Sequence, residues 1–262
     1  MKNPKIKSYL IVLLALISIL TGCKKKDVVT YPWQLKPGSA EFFLNQGLFH
    51  LNSGQINMAE KKLLRAIEKK PSLKDALNGL GIVYMYKREF DKAIKYFKRV
   101  LNIDPTFIDV YNSLGLIYIE LDKYEPAKEN LLIAANSDDY STPENSFVNL
   151  AMLEIKHNKL NSAMRYVEKG IYKNRGFAPL YNLQGVIFEN QKNYNEAIYS
   201  YKKALSLLTE DDITILINIG RVYSKMGEKG KALDTLEKAL SKTVNSKIKN
   251  EIRKMIKELN KG

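Results

Sequence analysis

The sequence predicts an all-α protein, a stack of six helical hairpins, and two regularities predict it. Gly47, Gly81, Gly115, Ala151, Gly185 and Gly220 lie 34, 34, 36, 34 and 35 positions apart. Ala59, Ala93, Ala127, Ala163, Ala197 and Ala232 follow them at a constant offset of twelve. Small residues recurring at a fixed offset mark two helices that cross closely in every unit. A hairpin of this size cannot bury its apolar face alone, so neighbouring units must stack.

The first element, residues 1–22, reads as a targeting segment. Lys2, Lys5 and Lys7 precede an apolar run from Tyr9 to Leu20 that only Ser18 interrupts. A basic start, a short apolar core and small residues before a cut site define a secretory signal. The run is shorter than the ~20 residues a spanning helix needs. Leu20-Thr21-Gly22-Cys23 then resembles the lipobox of bacterial lipoproteins. That resemblance implies cleavage before Cys23, a diacylglycerol on its sulfur and an acylated amino group. The alternative is a plain secretory signal, in which Cys23, the one cysteine of the chain, has no evident task. Several acyl chains, at ~0.8 kcal/mol per buried CH₂, hold a protein on a bilayer where one does not. Among such lipoproteins an Asp after the cysteine resembles an inner-membrane retention signal. Lys24 stands there instead, which implies the periplasmic face of the outer membrane.

Residues 23–39 form the tether. Lys24, Lys25 and Lys26 suit a position near lipid headgroups. Pro32 and Pro37 prevent a long helix, and Gly38-Ser39 end the segment. Trp33, the one tryptophan, either sits at headgroup level or packs on the first repeat. Cleavage after residue 22 removes three lysines and no acid, which takes the formal charge from +14 to +11. Such a balance points either to an anionic partner or to solvated helix faces. The lysines form no cluster of the kind that binds nucleic acid.

The six units occupy 40–73, 74–107, 108–143, 144–177, 178–212 and 213–246. The second carries Leu77, Leu80, Gly81, Tyr84, Ala93, Phe97, Val100 and Pro105. The third carries Tyr111, Leu114, Gly115, Tyr118, Ala127, Leu131 and Ala134. The fifth carries Tyr181, Gly185, Phe188, Ala197, Tyr201 and Ala204, and the sixth Leu216, Gly220, Tyr223, Ala232, Leu236 and Ala239. These residues resemble the tetratricopeptide repeat, with an apolar residue at position 4, Leu-Gly at 7 and 8, Tyr at 11, Ala at 20, an aromatic at 24, Ala at 27 and Pro at 32. The resemblance implies a right-handed α-solenoid. In the first and fourth units His50 and Glu154 replace the Tyr of position 11. Polar or Gly-containing turns fall at Asn52-Ser53-Gly54, Lys87-Arg88, Asp122-Lys123, Asn158-Lys159, Gln191-Lys192-Asn193 and Gly227-Glu228. Two extra residues precede the fourth unit, where Thr142-Pro143 predicts a fresh helix start. This irregularity either bends the superhelix or divides it into halves. In the last element, 247–262, Ile248, Ile252, Met255, Ile256 and Leu259 share one face. That amphipathic helix either caps the stack or docks on a partner.

In tetratricopeptide arrays the first helix of each hairpin lines a concave groove, usually through positions 2, 5, 9, 12 and 13. Carried to this sequence, the resemblance gives Asn78, Ile82, Met85, Tyr86, Asn112, Leu116, Ile119, Val148, Met152, Ile155, Asn182, Val186 and Arg221 as candidate binding residues. The middle of this set is apolar and its end basic. Contiguous exposed apolar surface marks a binding site, methionine adds adaptability, and the asparagine amides suit an extended peptide backbone. The other possibility is that positions 9 and 12 merely stabilise the stack.

No phosphate loop, zinc spacing or nucleophile elbow occurs, and the two histidines, His50 and His157, stand in different units. The expectation is therefore no catalytic residue, no metal, no small-molecule substrate and no cofactor beyond a covalent lipid on Cys23. A lipobox, a short tether, six such repeats and a terminal helix together resemble the type IV pilus biogenesis lipoproteins, the secretin pilotins. That resemblance implies a non-enzymatic scaffold at the outer membrane that helps a secretin subunit localise and assemble. The alternative is a periplasmic adaptor for cell-wall hydrolases or for outer-membrane barrel assembly.

Overall fold

A computed structural model describes residues 35–261, and the signal segment, Cys23 and most of the tether lie outside the described residues. Thirteen helices occur among the described residues, with no strand. They are α1 (Ala40–Asn52), α2 (Ile56–Lys69), α3 (Lys74–Tyr86), α4 (Phe90–Ile103), α5 (Ile108–Glu120), α6 (Tyr124–Asn136) and α7 (Pro143–Lys156). There follow α8 (Leu160–Lys173), α9 (Ala178–Asn190), α10 (Tyr194–Ser206), α11 (Ile213–Lys225), α12 (Lys229–Lys242) and α13 (Ser246–Leu259). Pairs α1/α2 to α11/α12 are the six expected hairpins. Helices α7 and α13 each begin one residue ahead of the boundary read from the sequence. None of the described helices is long and apolar enough to cross a membrane.

One turn recurs in all six hairpins. Gly54, Arg88, Asp122, Asn158, Lys192 and Gly227 hold φ between +57° and +77°. The next amide donates back to the carbonyl six-to-one, as in Glu89 N to Tyr84 O at 2.9 Å and Lys159 N to Glu154 O at 2.8 Å. This left-handed closure satisfies the last carbonyls of the first helix and turns the chain into the second. Glycine suits it, yet four of the six hairpins place a side chain there at some cost.

Each hairpin closes over the small residues. All six alanines at the constant offset are fully buried. A methyl on Gly81 would lie 2.4 Å from Phe97, on Gly115 2.5 Å from Leu131, on Gly185 2.6 Å from Tyr201 and on Gly220 2.7 Å from Leu236. The bulky residue sixteen positions on thus fills the room that glycine leaves. The fourth hairpin keeps the sum: Ala151 occupies the glycine position, and the residue sixteen on is the smaller Val167, both fully buried. Volume-conserving exchanges of this kind are the ones cores tolerate best.

The chain divides into two compact units, Met1–Ser146 and Phe147–Gly262. The division falls in the first turn of α7, directly after the irregular stretch that precedes Pro143. In the second unit α13 lays Ile248, Ile252, Met255, Ile256 and Leu259 on Leu216, Leu236 and Ala239. The amphipathic face read in the sequence is therefore spent on the last hairpin.

Candidate functional site

In the first unit the candidate residues come from α3 and α5. Ile82 and Met85 are half-buried against the hairpin core, Leu116 is half-buried, and Tyr86 is 43% exposed. Arg88 donates to Glu120 at 2.9 Å along the same side. Asn78 is half-buried, and its Oδ1 is buried with no hydrogen-bond donor. In the second unit Ile155, Asn182, Val186 and Arg221 are half-buried.

Four expected binding residues are interior, which corrects the sequence reading. Asn112, Ile119, Val148 and Met152 are all buried. Asn112 Oδ1 accepts from Ser146 Oγ at 3.0 Å, and Asn182 Oδ1 accepts from Asn218 Nδ2 at 3.3 Å. Two of the three asparagine amides therefore fasten one repeat to the next and are not presented to a peptide. The physical reason is the close approach of successive first helices, which covers positions that a single helix leaves open.

The basic end of the candidate surface is also changed. Glu189, buried in α9, accepts from Arg221 Nε and Nη2, both at 2.8 Å, and from Lys225 Nζ at 2.7 Å. Tyr201 Oη donates to it at 2.9 Å. Burial pushes the Glu189 carboxyl upward, and the hydrogen bonds and charges of Arg221 and Lys225 outweigh it, which holds the group at about 2. Arg221 also donates to Asn218 Oδ1 at 2.9 Å. Its guanidinium is a structural clasp, so the surface that α11 offers is less basic than its composition implies. The sequence signal was present: Glu189 stands at position 12, where the second, third and fourth repeats carry Met85, Ile119 and Ile155.

A comparable clasp operates in the first unit. Glu60 of α2 accepts from Tyr84 Oη at 2.7 Å and pairs with Lys87. Burial, then the Glu60 carboxylate, drives the Tyr84 hydroxyl far above its ordinary range. Of the two histidines, His50 shares a 2.6 Å hydrogen bond with Gln55 and His157 abuts the turn after α7. Among the described residues, no group of three His, Cys, Asp or Glu side chains is placed to hold a metal. A shallow concavity of about 380 Å³ in the second unit is lined by Met164, Arg165, Glu168, Gln184 and Phe188. What the geometry offers chemically is therefore contact surface, apolar around Ile82, Met85, Tyr86 and Leu116.

Repeat geometry of this kind is that of stacked tetratricopeptide-type hairpins, and family models match parts of the chain. Tetratricopeptide repeat models match residues 75–107 and 108–135. The tetratricopeptide repeat protein 21 C-terminal ARM domain matches 132–257. Among solved structures the chain is similar to PilW, a widely conserved type IV pilus biogenesis factor, with TM-score 0.72 and 16% identity over 81% of this chain and 97% of that one. It is similar to PilF of Pseudomonas aeruginosa with TM-score 0.68 and 22% identity over 82% and 97% of the two chains. At these identities the likeness is one of fold. The Photosystem I assembly protein Ycf3 of Prochlorococcus marinus is 32% identical over 93 residues, 32% of this chain. The chain thus spans about half of that curated relative, 54% of its length.

Proposed function

We propose that this protein is a lipid-anchored scaffold on the periplasmic face of the outer membrane that helps a type IV pilus secretin localise and assemble. The observation that carries the reading is the agreement of architecture with PilW and PilF over 97% of each of those chains. The lipobox at Leu20–Cys23 adds the anchor, and Lys24 favours the outer membrane. The client lies on the apolar surface of the first unit, against Ile82, Met85, Tyr86 and Leu116. The role is non-enzymatic: the repeats offer a surface, and the chemistry is binding alone. Ycf3, an assembly protein by its name, is consistent with a task of bringing subunits together.

The test is secretin assembly in cells that lack the protein. Secretin multimers should then be scarce or found in the inner membrane, and the protein should co-purify with the secretin subunit from detergent-solubilised membranes. Normal multimers in the outer membrane of such cells would remove the reading.

A further inference from the structure

Charge is divided unevenly between the two helices of the early hairpins. In the first unit α1, α3 and α5 hold Lys74 as their one lysine or arginine, against Glu41, Asp75, Asp109 and Glu120. Helices α2 and α4 hold eight lysines and arginines against Glu60, Glu68 and Asp91. Burial sets where these cations point. Ala59, Leu63 and Ala66 of α2 and Ala93, Phe97 and Val100 of α4 are fully buried, so the residues between them fall on the opposite side of each helix.

On that side Lys61, Arg65 and Lys69 recur at every fourth residue of α2, all exposed. Met58, 44% exposed, precedes them one turn earlier. Lys95 stands in α4 where Lys61 stands in α2, two residues past the buried alanine, and Lys98 is exposed a turn further on. Arg99 of α4 donates to the Pro71 carbonyl just beyond α2 at 3.1 Å, so the two helices flank one surface. In the third hairpin Glu129 and Ile133 take the places of Lys95 and Arg99, and the basic field stops there.

The nearby carboxylates are engaged elsewhere. Glu60 accepts from Tyr84 and Lys87, Glu41 pairs with Lys70 at 3.4 Å, and Asp104 pairs with Lys74 at 2.6 Å. Among the described residues Lys61, Arg65, Lys69, Lys95 and Lys98 form no ion pair. Their mutual repulsion is relieved by an anionic partner. Four of the five are flexible lysines, and those of α2 are spaced ~6 Å apart along the helix. Such a spread matches a plane of phosphates better than one bound anion.

We propose that the outer face of α2 and α4 rests on anionic phospholipid headgroups. The orientation rests on the lipid anchor proposed above, because exposed charges are screened beyond ~8 Å at physiological ionic strength. The face turns a protein already held at the bilayer and does not hold it alone. The acidic first helices are repelled by the same surface. The client surface around Ile82, Met85, Tyr86 and Leu116 belongs to those helices, so it stays open while α2 and α4 meet the lipid.

The test uses the full chain with Cys23→Ala, which carries no lipid, so failure of the anchor and failure of the face are read separately. At low ionic strength it should sediment more strongly with vesicles of phosphatidylcholine and phosphatidylglycerol than with phosphatidylcholine alone, and added salt should erase the difference. Lys61→Gln, Arg65→Gln, Lys95→Gln and Lys98→Gln together should lower that preference more than about a hundredfold, at ~fivefold per cation, with the helical circular dichroism unchanged. Lys229→Gln, Lys247→Gln, Arg253→Gln and Lys257→Gln remove the same charge from α12 and α13 and should leave most of the preference in place. Equal binding to the two kinds of vesicle overturns the face. So does an equal loss in the two fourfold variants, which would assign the binding to net charge. Binding to polyglutamate without any preference for phosphatidylglycerol would assign the cations to an acidic protein and overturn it as well.

Discussion

Two parallel contacts of 2.8 Å join the Glu189 carboxylate of α9 to the Arg221 guanidinium of α11, one repeat further along. A bidentate pair of this kind is among the stronger side-chain interactions, and its desolvated setting makes it sensitive to acid. The Glu189 pKa is depressed to about 2 from an ordinary 4.5. The stabilisation is therefore fully present above about pH 4.5 and is lost as pH falls toward 2. A depression of this size corresponds to about 3 kcal/mol. Urea unfolding followed by circular dichroism across that window should show stability falling with acid. Glu189→Gln should flatten the fall, and an unchanged acid limb in that variant would refute the assignment.

The exchange between Ala151/Val167 and the Gly/bulky pairs of the other five hairpins predicts a coupled substitution. Gly185→Ala places a methyl 2.6 Å from Tyr201 and should destabilise by about 1–3 kcal/mol. Combined with Tyr201→Val, the same change should cost less than the sum of the two single variants, because the smaller side chain makes room. Thermal unfolding of all four proteins closes the cycle. Strict additivity would show that the two positions do not share one space.

Lys192 holds φ +65° in the turn between α9 and α10. A side chain in this conformation costs roughly 1 kcal/mol, and glycine relieves it. Lys192→Gly should raise the unfolding midpoint, although it deletes a side chain and adds no contact. A lower midpoint would mean that the unfolded-state entropy gained by glycine exceeds the strain released.

The surface proposed for the client makes its own prediction. Ile82→Asp with Leu116→Asp should abolish co-purification of the secretin subunit while the helical circular dichroism persists. Each Asp at a half-buried site should cost about 1–2 kcal/mol of stability, which a stack of this size tolerates. Retained co-purification would remove this face from the binding reaction.

The anchor is tested by Cys23→Ala. The variant should appear in the soluble periplasmic fraction, since lysines alone contribute only ~1 kcal/mol each near a lipid surface. Continued sedimentation with outer membranes would remove the lipid from the account.

Much of the fold was legible because tetratricopeptide repeats write their packing into local spacing. The Gly81–Phe97 and Gly115–Leu131 contacts follow from a fixed offset within one hairpin, and hairpin geometry is nearly constant. The face of α13 was legible for the same reason, since its period shows in fourteen residues. The candidate surface was legible only in part. Ile82, Met85, Tyr86 and Leu116 keep some exposure, whereas Asn112, Ile119, Val148 and Met152 are enclosed. Which of them is covered depends on how closely the next first helix approaches, and no single repeat encodes that distance.

The sequence by itself determined the number of hairpins, their turns, the small-to-large packing inside each and the terminal amphipathic helix, because these depend on neighbours within one or two helices. Only the tertiary structure decided the partners of Glu189, Arg221 and the asparagines, and only it showed that Phe49 stands open where five equivalent residues are closed. Those outcomes arise between repeats, where burial and charge pairing depend on the relative placement of helices some thirty residues apart.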